Sequence, residues 1–158
     1  MEIKTVPLTK EILQEIEKID DTFYENDITG IKWYTDRYKS NHEAVVLLDQ
    51  GRIVGYIIAV PVKKDLFDAL ASGCILNDVN INPKMFVKTS EYYYLSSIVL
   101  LDPYRNKGYG RKMTNVLFKK YKDKSLVALV VSEVGYNLLN RYATRTSKLP
   151  QNKFVFQF

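Results

Sequence analysis

The chain has 158 residues, 46% hydrophobic and 26% charged, the balance of an ordinary globular protein long enough to bury a substantial core, and residues 1–158 are expected to form one domain. Lys and Arg (23) outnumber Asp and Glu (18), for a net charge of +5; the positive charge is spread along the chain and densest at one glycine-bearing turn, so it requires an anionic ligand there at most and no nucleic acid. The single cysteine, Cys74, and single histidine, His42, exclude an internal disulfide, a multi-cysteine zinc site and a His-x-x-x-His metal site.

Cys74 reads as a small, partly buried residue. His42, in Ser40-Asn41-His42-Glu43, reads as a structural residue in a surface loop ahead of a strand. No apolar run approaches a membrane span, and Met1-Glu2-Ile3-Lys4 lacks signal-peptide character; a cytoplasmic protein away from membranes is the expectation.

In chain order, Glu2 to Val6 alternates as a strand and Pro7 ends it. Lys10 to Ile19 places Ile12, Leu13, Ile16 and Ile19 on one helical face, with Thr9 as N-cap. Phe23 to Tyr38, rich in aromatic and charged residues, reads as a second helical region broken near Gly30. Ala44–Leu48 and Arg52–Val60 read as a hairpin joined by Asp49-Gln50-Gly51, with Gly55 marking a bulge. Pro61 to Ser90 has no sustained period; it holds one short helix around Leu66–Ala71 and then an irregular excursion, a length that is usually functional. Together with Phe23–Tyr38 it is expected to wall an acceptor pocket, with Asp27 and Asp78 as acidic groups in it.

Tyr92 to Leu101 is β-branched, aromatic and apolar, a largely buried strand, and Asp102-Pro103 breaks it. Then come Arg105, Asn106, Lys107, Gly108, Tyr109, Gly110, Arg111 and Lys112. From Tyr109 onward, Met113, Val116, Leu117 and Tyr121 fall at helical spacing. Ser125–Val131 is a continuous apolar run, as in a strand covered on both faces. Val134–Tyr142 supports a short helix with Val134, Leu138, Leu139 and Tyr142 inward, and Lys153–Phe158 alternates as a last strand.

The glycines therefore stand where a strand hands over to a helix N-terminus. There, unpaired amides and the helix dipole favour an anion, and missing Cβ atoms let it approach. Arg105, Lys107, Arg111 and Lys112 surround the turn. On these residues alone, a diphosphate site and a turn with merely solvated charges are equally good readings. G-x-G-x-x-G fails at Met113, and the Walker pattern is absent. What remains, Arg-Asn-Lys-Gly-Tyr-Gly, matches [QR]-x-x-G-x-[GA], and with its flanking strand and helix the stretch resembles the GNAT superfamily of N-acetyltransferases.

That resemblance covers nearly the whole chain and implies an α/β (α+β) fold: a mixed, largely antiparallel sheet with two splayed parallel central strands, flanked by helices. It implies acetyl-CoA as acyl-donor substrate, its pyrophosphate on the loop Arg105, Asn106, Lys107, Gly108, Tyr109, Gly110, with Arg111 beside it. Backbone groups of Ile98, Val99 and Leu100 would hold the pantetheine arm and polarise the thioester. The acceptor would be the primary amine of a small molecule or peptide, attacking the thioester directly.

The general acid implied is Tyr142, a phenol protonated at neutral pH. The usual asparagine seven residues earlier is Gly135 here, with Asn137 as a substitute, and the usual Gly-Phe is replaced by Thr146-Ser147. The family's strand glutamate is Tyr94, so no base is assigned; Ser96 and Ser97 are read on opposite strand faces, one of them lining the cleft. A non-catalytic acyl-CoA-binding domain is the alternative, a nucleic-acid-binding protein a weaker one. Oligomeric state is open, a homodimer included.

Overall fold

The computed structural model describes residues 1–23 and 31–158; the expected helix break at Gly30 and the expected acidic group Asp27 lie outside them. The described elements run β1 (Glu2–Pro7), α1 (Lys10–Asp20), α2 (Ile31–Arg37), β2 (Glu43–Asp49), β3 (Arg52–Pro61), α3 (Lys64–Ala71), β4 (Tyr92–Leu100), α4 (Tyr109–Lys120), β5 (Ser125–Val130), α5 (Glu133–Leu139), β6 (Arg145–Lys148) and β7 (Phe154–Gln157). The strands form one sheet in the order β1-β2-β3-β4-β5-β7-β6. Its pairs are antiparallel except β4–β5.

Local chemistry accounts for most boundaries. Thr9 caps α1 by accepting from the Ile12 amide at 3.3 Å, and Leu13, Ile16 and Ile19 are buried on its inner face, as their spacing requires. The β2–β3 turn places Gln50 and Gly51 at φ 49° and 81°, the two left-handed residues that match a hairpin's twist. Opposite Leu47 and Leu48 the register passes from Gly55 to Ile53, so the bulge expected at Gly55 takes Val54 as its extra residue.

Strand alternation divides the apolar side chains between two layers. Tyr56, Ile58, Val60, Tyr94 and Val99 pack with α1 and α2, whereas Ile57, Ala59, Leu95, Met113, Leu117 and Leu139 pack on the α4–α5 side. Arg37, buried at the end of α2, donates to the Val79 and Ile81 carbonyls at 3.1 Å each. It thereby ties α2 to the excursion that follows α3.

Several expectations change. The sheet has a strand unseen in the sequence, β6, because Arg-Thr-Ser-Lys at an edge has no apolar alternation to betray it. α5 ends at Leu139 rather than Tyr142, and Val134 is 68% exposed instead of inward. Cys74 is exposed; the Ser72 hydroxyl donates to its sulfur at 3.2 Å. His42 is buried: Nδ1 accepts from the Lys39 amide at 3.0 Å, and Nε2–H donates to the Val87 carbonyl at 2.7 Å.

That burial holds the His42 imidazole below its ordinary pKa, so the unfolded chain takes up a proton that the folded one refuses. Stability should fall as pH drops through about 6.5, the unfolded value. Asp20, raised by its burial, acts in the opposite sense. Comparing urea midpoints of wild type and His42→Gln at pH 7.5 and 5.5 isolates the histidine's part: the variant should be less stable at pH 7.5 and lose less on acidification.

Candidate active site

β4 and β5 run side by side only from Tyr92↔Ser125 to Leu95↔Ala128. Beyond that point they separate, and the cause lies in β4. Across β3, Ile58 faces Ser97 and Ala59 faces Leu95, so Ser96 is an extra residue. Such a bulge bends its strand and strengthens the local twist, steering the end of β4 away from β5.

The bulge also decides which groups face the gap. The Leu101 amide donates to Val54 O at 3.0 Å across the β3 side. By antiparallel alternation, Val99's backbone groups face β3, and those of Ile98 and Leu100 face the gap. Of the three residues expected to hold an acyl carrier's arm, Ile98 and Leu100 are suitably turned; Val99 is engaged in the β3–β4 ladder. The Leu100 carbonyl accepts from Arg105 Nε at 2.8 Å.

Arg105 is thereby a structural part of the turn. Its guanidinium also pairs with Asp102 at 2.9 Å and lies 4.9 Å from the centre of the Phe23 ring. This removes it from the expected set of four rim cations and leaves Lys107, Arg111 and Lys112 exposed around the turn. Tyr104 anchors the segment by donating to Asp49 at 2.6 Å.

Asn106 and Gly108 take left-handed φ values of 59° and 80°; Asn tolerates that region and glycine suits it. Gly108 is the N-cap of α4, and a Cβ built there meets nothing within 4 Å. The first helical bond closes from the Lys112 amide to Gly108 O at 3.1 Å, so the amides of Tyr109, Gly110 and Arg111 precede it and are presented at the helix N-terminus.

On the α1–α2 face, a cleft of about 360 Å³ opens at the gap. Its walls come from the two stretches expected to form a pocket: Trp33, Tyr34 and Tyr38 from the aromatic region, and Leu76 to Val79 from the excursion. Lys153 closes one side by donating to the Leu76 carbonyl. Both serines of β4 line the cleft, because the bulge puts them on one face rather than opposite faces.

The cleft is laced with phenols. Tyr34 and Tyr56 donate to the two carboxylate oxygens of Asp20, and Ser97 donates to the Tyr56 hydroxyl at 3.2 Å. Tyr38 and Ser96 share a hydrogen bond at 2.9 Å, and Tyr94 donates to Asp78 at 3.0 Å. Burial pushes all four phenols upward and raises the Asp20 carboxyl, against the pull of its two phenol donors. Asp20 and Tyr56 went unnoticed in the sequence. The available signal was that Asp20 continues the buried stripe Ile16-Ile19 at helical spacing.

The C-terminal expectations fare differently. Tyr142 lies in the turn beyond α5; its hydroxyl donates to Asn115 Oδ1 at 2.7 Å, and its ring stacks on Phe118 with centroids 4.9 Å apart. Phe118 contacts Phe158, whose amide bonds to Leu126 O, and Leu126 stands in the part of β5 still paired with β4. Tyr142 is therefore beside the closed part of the sheet and is not among the residues lining the cleft. Asn137 is exposed on α5. At Gly135 a Cβ would come within 3.1 Å of Ser132 Oγ and 3.3 Å of Val130 Cγ1, so the missing asparagine has no room without a shift. Tyr142→Phe should lower stability by no more than about 1 kcal/mol in a urea melt. Any acyl-transfer rate should change by less than about twofold; a loss of about 100-fold, the size of a general-acid contribution, would restore its proposed acid role.

The family model for acetyltransferases of the GNAT family matches residues 10–144. No curated protein matches the chain in sequence. Among solved structures, the chain is similar to the loading GNATL domain of CurA from Lyngbya majuscula, at 11% identity and a TM-score of 0.71, covering 100% of this chain and 98% of that one. It is also similar to Arabidopsis thaliana NAA60 in complex with acetyl-CoA, at 14% identity and TM-score 0.64, with 99% of each chain covered. An N-acetyltransferase from Staphylococcus aureus Mu50 matches at 15% identity and TM-score 0.63, over 98% of this chain and 100% of that one. At such identities these likenesses establish the shared fold. By its match over most of its length and by that fold, the chain belongs to the GNAT acetyltransferase family.

Proposed function

We propose that this protein transfers an acetyl group from acetyl-CoA to the primary amine of a small molecule or peptide, by direct attack on the thioester. The observation that carries this reading is the coincidence of two openings. The bulge at Ser96 exposes the backbone of Ile98 and Leu100 along the gap, and that gap leads to the glycine turn at the N-terminus of α4. A diphosphate suits the turn, where Tyr109, Gly110 and Arg111 offer amides and Lys107, Arg111 and Lys112 offer charge. Asn106 and Gly108 supply the backbone curvature.

In this reading the pantetheine arm follows the open edge of β4, with the exposed Val131 and Val134 as an apolar lip. Fixed amides of Ile98 and Leu100 stabilise the negative charge that develops on the carbonyl oxygen, and the cleft orients the amine. Acetyl-CoA bound to the solved NAA60 structure supports the choice of donor. Tyr142 has no step here, because its hydroxyl is engaged by Asn115.

The engagement of Tyr142 favours a second reading, an acyl-CoA-binding domain without transfer. A thermal-shift titration with acetyl-CoA tests what both readings share. Release of free thiol in the presence of a panel of primary amines separates them: saturable binding with no thiol release on any acceptor leaves the second.

A further inference from the structure

We infer that Asp20 is the proton acceptor of the reaction and draws the proton from the amine through Tyr56 and Ser97. This rests on the transferase reading, which lacks a base: the strand position where a glutamate was sought is Tyr94. The chain of groups is continuous. Ser97, half-buried on the bulged end of β4, lines the cleft and donates to Tyr56 at 3.2 Å; Tyr56 donates to Asp20 Oδ1. Every hydroxyl proton in it already points toward the carboxylate. Tyr34, donating to Oδ2, fixes the carboxyl plane from the far side.

A carboxylate on the buried stripe of α1 is costly unless it is bonded, and a purely structural role would need no exit to the cleft. The titratable groups facing Asp20 are Tyr34 of α2, Tyr56 of β3 and, beside it in the chain, Asp21; the Tyr38 phenol also feels its charge. Burial raises the carboxyl above the ordinary aspartate value, the direction that makes it a stronger proton acceptor.

The protons balance as follows. An entering ammonium loses one proton to Ser97 Oγ, while the Ser97 proton moves to the Tyr56 oxygen and the Tyr56 proton to Asp20. The neutral amine then forms its C–N bond to the acetyl carbon as the C–S bond breaks, and its second proton ends on the thiolate. Asp20 returns its proton to water as products leave.

The test follows thiol release from acetyl-CoA with a panel of primary amines, from ethanolamine to a short peptide, between pH 6 and 9. Asp20→Asn, Tyr56→Phe and Ser97→Ala should each lower kcat about 100-fold near neutrality, leave the KM for acetyl-CoA unchanged, and recover as the amine deprotonates at higher pH. Ser97→Ala breaks the chain without disturbing the buried carboxylate, so it covers a failure of Asp20→Asn to fold. A wild-type pH profile for Ser97→Ala, or a deficit equal at every pH, would overturn the inference. In parallel, carbon NMR of the protein without acetyl-CoA should show the Asp20 carboxyl titrating and the Tyr56 ring responding at the same midpoint. An Asp20 that keeps its proton from pH 6 to 9 would overturn the inference even if no amine in the panel reacts. Absence of an acetyl-CoA thermal shift in the wild type refutes the transferase reading instead.

Discussion

Gly108→Glu should reduce acetyl-CoA affinity at least about 100-fold, roughly 2.7 kcal/mol, in a protein that still folds. The position combines two properties. At φ 80° it lies where an L side chain is strained, yet a Cβ there meets nothing within 4 Å. A glutamate is thus accommodated sterically, but its carboxylate stands before the amides of Tyr109, Gly110 and Arg111, where it competes with a diphosphate and repels it. The backbone strain, about 1–2 kcal/mol, is shared by Gly108→Ala, so that variant is the control. It should melt lower than wild type but bind acetyl-CoA within about tenfold, a loss below about 1.4 kcal/mol. Full affinity in the glutamate variant would place the anion elsewhere.

Deleting Ser96 should abolish acetyl-CoA binding while leaving the protein at least as stable as wild type. Few deletions in a buried strand carry that expectation. Here Ser97 already faces Ile58, and Leu95 faces Ala59, so removing the extra residue yields an uninterrupted ladder in the same register. Leu95, Ile98 and Val99 keep their present faces. What is lost is the bend: a straight β4 continues alongside β5, and the backbone of Ile98 and Leu100 pairs with that strand instead of lining a gap. Each new hydrogen bond contributes about 0.5–1.5 kcal/mol. Ser96→Ala keeps the bulge, loses the hydroxyl's bonds to Tyr38 and to the Ile58 carbonyl, and should still bind. The readout is an acetyl-CoA thermal-shift titration beside a urea melt; wild-type affinity in the deletion would mean the bulge does not make the site.

What was legible in the sequence was whatever depends on local chemistry. The turn around Gly51, the cap at Thr9, the apolar stripe of α1, and the strand–glycine turn–helix from Tyr92 to Tyr121 all announce themselves through residue type and spacing. The motif located the strand-to-helix corner proposed to take the diphosphate but overstated Arg105, whose guanidinium is spent on Leu100 O, Asp102 and Phe23. The strand pattern could not reveal Ser96 as an extra residue, since a bulge is defined by the partner strand; both serines therefore moved to one face. Tyr142 was placed by counting along a helix that stops at Leu139, after which tertiary stacking on Phe118 decides its direction. The cleft's polar floor was hidden because Tyr56 reads as one more bulky residue in an apolar strand and Asp20 falls one residue past the helix read as ending at Ile19.

The most direct measurement is a titration of the isotope-labelled protein with acetyl-CoA, followed through its backbone amide resonances. The account predicts saturable shifts concentrated at Ile98 and Leu100 and at Tyr109, Gly110 and Arg111, with Val99 and the Asn115–Tyr142 contact moving far less. Saturation with the largest shifts elsewhere, or no shift at millimolar acetyl-CoA, would contradict it.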